Sequence, residues 1–206
     1  MRILATALAA LLLPLIACGM SPPPTPSLPA AATEKAIVAG GCFWCTESDM
    51  EKIPGVLSAV SGYIGGTLAN PRYEAVSAGR TGHTEAVEVI FDPSKISYSQ
   101  LIEKFWPTID PTVQNQQFCD RGPQYRSGIY PLNDAQMQVA EASKTALVKS
   151  GRVPNVYTEI VRAGTFWPAE GYHQDYYKTN ALKYKYYRYG CGRDARLEQV
   201  WGSKTK

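Results

Sequence analysis

The chain has 206 residues, 45% of them hydrophobic and 19% charged, and 21 Lys and Arg stand against 18 Asp and Glu for a net charge of +3. A charge this small, with no basic stripe clear of acidic neighbours, argues against a nucleic-acid partner. Among five cysteines and two histidines there is no second Cys or His pair at the spacing that a four-ligand zinc site needs, and each His stands alone, so no structural zinc is expected.

In chain order, Met1-Arg2 is a minimal positive start, and Ile3 to Ala17 is an almost uninterrupted apolar run. The run is too short to span a bilayer as a mature helix and has the length of a signal-peptide core. Leu15-Ile16-Ala17-Cys18 resembles a bacterial lipobox, in which the Cys becomes the first mature residue and carries the lipid. The plainer alternative is an ordinary secretory signal with Cys18 there by chance. Both readings export the chain into a compartment where disulfides persist. Residues 18–34 are rich in Pro and small residues, cannot bury a core, and read as an extended tether. The expected organisation is therefore a signal peptide over 1–17, a lipidated Cys18 with its tether over 18–34, and one folded domain over 35–206. That makes the protein a membrane-anchored lipoprotein of the bacterial cell envelope, facing the periplasm or the exterior. About 170 residues after the tether is one domain's worth of chain.

Within the domain, Ala36-Ile37-Val38-Ala39 is a short apolar run closed by Gly40-Gly41, which predicts a buried strand and a tight turn. Phe43 to Ile53 has no breaker before Pro54-Gly55 and predicts a helix whose first turn begins at Cys42. Val56 to Ile64 and Glu85 to Phe91 alternate as strands. Ser97 to Trp106 carries a Ser cap and apolar residues at helical spacing. A long polar loop runs from Thr108 to Gln124, and Ser127 to Tyr130 is strand-like. Asn133 to Lys149 is the clearest helix, capped at Asn133 or Asp134, with Gly151 after its end. Val156 to Val161 predicts a last strand, and from Phe166 onward the chain reads as Tyr-rich and irregular. This order predicts an α+β fold, a two-layer mixed sheet with helices built on a ferredoxin-like split βαβ core.

The chemistry centres on Gly40-Gly41-Cys42-Phe43-Trp44-Cys45. Covalent haem attachment wants His after the second Cys, and Thr46 stands there. A static Cys42–Cys45 bridge is the structural alternative to a redox pair. A Cys where a strand turns into a helix faces unpaired helix N–H groups and the positive end of the dipole, which favours the thiolate, so Cys42 reads as a nucleophile. Phe43 and Trp44 beside it form either an apolar cradle for a methyl-thioether-sized group or ordinary core packing.

Gly41-Cys42-Phe43-Trp44 resembles the signature of the A-type peptide methionine sulfoxide reductases, and further stretches agree in order: Tyr63-Ile64-Gly65-Gly66, Asn70-Pro71-Arg72-Tyr73-Glu74, Thr81 to Val87, Asp120 to Ser127, and Ala169 to Tyr176. The resemblance spans about Ile37 to the C-terminus and makes 35–206 the catalytic domain. It implies reduction of the S epimer of methionine sulfoxide, in proteins or free, by attack of Cys42 on sulfur. Glu85 is then the acid; Tyr73 and Tyr125 hydrogen-bond the sulfoxide oxygen; Asp120 orients the substrate; Phe43 and Trp44 hold its methyl group. The resulting Cys42 sulfenic acid is resolved first by Cys191, in Tyr189-Gly190-Cys191-Gly192, with Cys45 accepting the disulfide as a relay, and Cys119 borders the Asp120 motif. No metal or organic cofactor is implied, and electrons would come from a thioredoxin-like partner. An exported thiol-disulfide oxidoreductase using the CxxC pair is the alternative, and a non-enzymatic anchored lipoprotein binding partners through its Tyr-rich tail is a third reading.

Overall fold

A computed structural model describes residues 32–202. The signal-peptide run, Cys18 and most of the tether lie outside the described residues. The apolar run at the start of the domain forms β1 (Glu34–Gly40), and its five last residues are buried whichever way they point. That is why it reads as a continuous apolar run rather than an alternating one. α1 (Phe43–Glu51) follows, then β2 (Val56–Ile64), a short α2 (Tyr73–Ser77) and β3 (Thr84–Phe91). β3 lies between β1 and β2 and is antiparallel to both, pairing Val38 with Val87 and Ala59 with Val89. This is the split βαβ arrangement, with α1 as its crossover.

α3 (Tyr98–Phe105) starts with a reciprocal capping box. Ser97 Oγ accepts from the Gln100 amide, and the Gln100 side chain accepts from the Ser97 amide. Leu101, Ile102 and Phe105 are fully buried on its inner face, each worth about 1.5–3 kcal/mol of transfer free energy. A two-residue hairpin, β4 (Gln116–Gln117) and β5 (Asp120–Arg121), lies inside the segment expected to be loop. β6 (Ser127–Ile129) extends the sheet beyond β1. α4 (Asp134–Lys149) has Asn133 as its cap, with Oδ1 accepting from the Gln136 amide. β7 (Glu159–Ile160) adds to β6 in parallel, and β8 (Trp167–Pro168) adds to β2, completing a mixed sheet in the order β7-β6-β1-β3-β2-β8. The main core, including Val38, Met50, Val87, Val89 and Phe105, lies between one sheet face and the helices. A smaller cluster of Ile37, Ala39, Ile64, Ala86 and Tyr130 covers the other face.

Two expectations need correction. The last predicted strand, Val156 to Val161, shrinks to the two residues of β7. The tail expected to be irregular instead forms α5 (Tyr176–Thr179), α6 (Ala181–Gly190) and α7 (Arg193–Trp201). These helices are anchored by ionic and polar contacts, which leave little apolar periodicity to read. Arg193 is 1% exposed and donates to the carbonyls of Gly40 and Thr108. Arg188 pairs with Asp49 on α1 and with Asp194. Arg193 Nε also lies 3.4 Å from Asp49 Oδ2, so replacing Arg193 with Met should destabilise the fold by about 3 kcal/mol, because it leaves two inward carbonyls without donors and Asp49 with one cation fewer. Urea unfolding with the disulfide intact measures this, and a loss below about 0.5 kcal/mol, the size of an ordinary surface change, would show that the arginine is no anchor.

Candidate active site

The two glycines of the opening motif have separate tasks. Gly41 has φ +83°, and a Cβ there would come within 2.5 Å of Gln117 Cβ, so only glycine makes this turn. The Gly40 carbonyl receives the Arg193 guanidinium. The turn sets Cys42 at the N-cap of α1, with no cap hydrogen bond from its own side chain.

Cys42, Phe43, Trp44, Tyr73, Glu85, Asp120 and Tyr125 line one cavity of about 70 Å³ together with Tyr187. They come from the start of α1, the start of α2, the second residue of β3, the first of β5, the 3-10 turn Pro123–Tyr125 and α6. Tyr187 was missed by sequence reasoning. It stands in the Tyr184 to Tyr189 run, where nothing in the residue pattern separates a site tyrosine from a surface one.

Glu85 is 2% exposed, and its Oε2 accepts from the Phe43 amide at 2.9 Å. The first-turn amide expected to serve Cys42 thus faces a carboxyl group. Burial raises the Glu85 carboxyl to about 8, outweighing that hydrogen bond. It is a carboxylic acid at neutral pH and can donate a proton into the cavity. Burial also raises Tyr73 to about 12 and lifts Tyr125 above the ordinary phenol value, so both stay proton donors.

The two thiols revise the expectation of an ionised Cys42. Burial pushes the Cys42 thiol well above its ordinary value; its hydrogen bond to Cys45 and the nearby Glu85 and Asp120 carboxyls add to this. Cys45, one helical turn deeper and 1% exposed, moves down, chiefly through that hydrogen bond and then through Arg193 and Arg188. The two shifts have opposite signs, so Cys45 ionises more readily than Cys42.

Cys191 does not line the cavity. It is joined in a disulfide to Cys119, the residue that borders the Asp120 motif, while Cys42 and Cys45 are free. Asp120 lies between the two groups. Its Oδ2 accepts from Tyr187 Oη at 2.5 Å and is 3.9 Å from Cys191 Sγ.

The segment Ala169 to Tyr176 works behind the cavity. Glu170 accepts from Tyr63 Oη at 2.8 Å and from the Tyr73 amide at 3.0 Å, which fixes the start of α2. His173 Nδ1 accepts from Trp44 Nε1 at 3.1 Å, so its proton resides on Nε2, and burial keeps the ring neutral. Tyr176 stacks on Trp44 with centroids 3.8 Å apart. Two acid or thiol clusters have metal-ligand proximity among the described residues. In Cys119, Asp120 and Cys191 the thiols are bonded to each other, and Glu47, Glu51 and Asp175 are matched by Ser61, Tyr177 and Lys178.

The sequence profile of the peptide methionine sulfoxide reductases matches residues 34–205. The chain is similar to peptide methionine sulfoxide reductase MsrA 2 of Caulobacter vibrioides, 51% identical over 177 residues, covering 86% of this chain and 90% of that one. Among solved structures it is similar to methionine sulfoxide reductase A of Corynebacterium diphtheriae, with a TM-score of 0.67 and 34% identity over 75% of this chain and 78% of that one. Mxr1 of Saccharomyces cerevisiae in complex with Trx2 shares the fold, with a TM-score of 0.51 and 21% identity over 74% and 90% of the two chains. With this profile match, this identity and this cavity, the chain belongs to the peptide methionine sulfoxide reductase family, as a relative of its MsrA members.

Proposed function

We propose that the protein reduces the S epimer of methionine sulfoxide, free or in proteins, to methionine. The observation that carries this reading is the grouping of a nucleophilic thiol, a protonated carboxyl and two phenols around one small, aromatic-walled cavity. Removing oxygen from sulfur needs a nucleophile for the sulfur and proton donors for the oxygen. Cys42 attacks the sulfoxide sulfur while Glu85 protonates the oxygen, and Tyr73 and Tyr125 donate hydrogen bonds to it as charge develops. Asp120 orients the substrate, and Phe43 and Trp44 receive its methyl group. Methionine leaves, and Cys42 is left as the sulfenic acid, so the oxygen and two electrons balance between the two sulfurs. A general thiol-disulfide oxidoreductase would have no use for the carboxyl and the phenols.

Cys191 resolves the sulfenic acid, with Cys45 as a relay, and the electron donor is a thioredoxin-like dithiol protein, the kind of partner that yeast Mxr1 binds. The proposal places the enzyme at the bacterial cell envelope, anchored by a lipid on Cys18 and facing the periplasm or exterior, on the strength of the Leu15 to Cys18 sequence. The test is an assay of the resolved sulfoxide epimers with dithiothreitol. Consumption of the S epimer with the R epimer untouched is expected, and equal consumption of both, or of neither, would overturn the reading.

A further inference from the structure

The two sides of α6 differ in kind. With a helical turn of ~100° per residue, Tyr184, Tyr187 and Cys191 fall on one side. Tyr184 is buried, Tyr187 lines the cavity and Cys191, which caps the helix, is bonded to Cys119. Leu182, Tyr186 and Tyr189, spaced i, i+4 and i+7, form a ridge on the opposite side and are 85%, 82% and 87% exposed. They are the most exposed large apolar side chains among the described residues. Exposed Lys183 and Lys185 stand on the two flanks of the ridge, and Ala181–Gly190 contains no Asp or Glu. Ten residues make a helix of ~15 Å, about half the thickness of a bilayer's hydrocarbon core. No described helix is long and apolar enough to cross a membrane, so α6 could meet one only along its surface.

Position, size and charge narrow what covers this ridge. A protein substrate has to reach the cavity and a dithiol reductant the disulfide, and both lie toward the other side of α6. Three side chains on one helix are too small a patch for a second copy of the chain, since a stable dimer buries ~800 Å² on each partner. Apolar tips at the centre with lysines on both edges match a layered partner instead. The Leu and Tyr side chains enter the boundary between headgroups and acyl chains, while the lysine stems lie along it and their ammonium groups stay at the phosphates. We propose that this face of α6 lies on an anionic phospholipid surface. The proposal goes beyond the sulfoxide reductase reading and shares with it only the placement at the envelope. A ridge of three side chains holds lipid weakly by itself, and a lipid on Cys18 would supply the second attachment that stable membrane residence needs. Docked in this way, α6 keeps Tyr187 and Cys191 turned from the lipid, and the cavity and the disulfide stay open to soluble partners.

The test is photo-crosslinking of the full chain to vesicles of phosphatidylglycerol and phosphatidylcholine that carry a diazirine phospholipid, with the adducts mapped by peptide. Adducts should concentrate on Ala181–Gly190, with α4, whose Val148 is exposed on another helix, as the background. Lys183→Glu with Lys185→Glu, and separately Leu182→Ser with Tyr186→Ser, should each lower that labelling at least about 10-fold. Vesicles of phosphatidylcholine alone should label the wild type less. Consumption of free methionine S-sulfoxide with dithiothreitol should be the same in both variants as in the wild type, which shows that the variants are folded. Labelling of Ala181–Gly190 no higher than that of α4, or equal in wild type and variants, would overturn the proposal. So would labelling that an added dithiol protein abolishes, which would make the ridge the docking site of that protein. A wild type that is labelled on the ridge and consumes no sulfoxide would overturn the reductase reading alone.

Discussion

Cys42→Ser should lower methionine formation from the S-sulfoxide by at least about 10⁴-fold, with substrate affinity little changed. The oxygen of serine would occupy the same N-cap position and touch the same walls, but a hydroxyl ionises far less readily than a thiol and cannot end as a sulfenic acid. The environment sharpens the contrast. Burial already works against charge at position 42. A serine hydroxyl there would be further still from ionising. Rapid-quench release of methionine, with equilibrium binding of a sulfoxide peptide as the control, checks the prediction. A loss of less than about 10-fold would mean that another group attacks the sulfur.

Glu85→Gln should cost about 10²–10⁴-fold in kcat, the usual worth of a positioned acid. Glutamine keeps the shape and can still accept from the Phe43 amide, so the fold of the α1 N-terminus is retained while the transferable proton is lost. The pH dependence separates this from mere misplacement. Burial raises Glu85 to about 8, so its protonated form prevails below pH 8 and disappears above it. Wild-type kcat/KM should therefore fall as pH rises through about 8, and the glutamine variant should lack that falling limb. A Gln variant retaining both its rate and the limb would remove Glu85 from the acid role.

The legible part of the fold is the part held by apolar pattern and local caps. β2 runs from Val56 to Ile64 as its alternation predicts, and Ser97 and Asn133 cap α3 and α4. The tail was illegible because the contacts that order it join distant residues. Arg193 reaches Gly40 and Arg188 reaches Asp49, and neither leaves a periodic trace in Ala181 to Trp201. The site divides the same way. Cys42 stands out from its own neighbours, since two glycines and a helix start aim it, whereas Glu85, Tyr73, Tyr125 and Asp120 became candidates only through resemblance to the family. The cavity brings them together from separate segments, and Tyr187 joins them from the unread tail. The ionisation of Cys42 was misjudged because the helix dipole is visible in local sequence while burial and two carboxyls from β3 and β5 are not. The pairing of Cys119 with Cys191 spans 72 residues, beyond the reach of any spacing rule.

The most direct measurement uses a protein in which Cys45, Cys119 and Cys191 are all serine, so that Cys42 is the one thiol left in the folded domain. One turnover with methionine S-sulfoxide, in the absence of reductant, should release one methionine per protein and leave Cys42 as a sulfenic acid that dimedone traps. Methionine formed with Cys42 unmodified, or a dimedone adduct elsewhere, would contradict attack by Cys42.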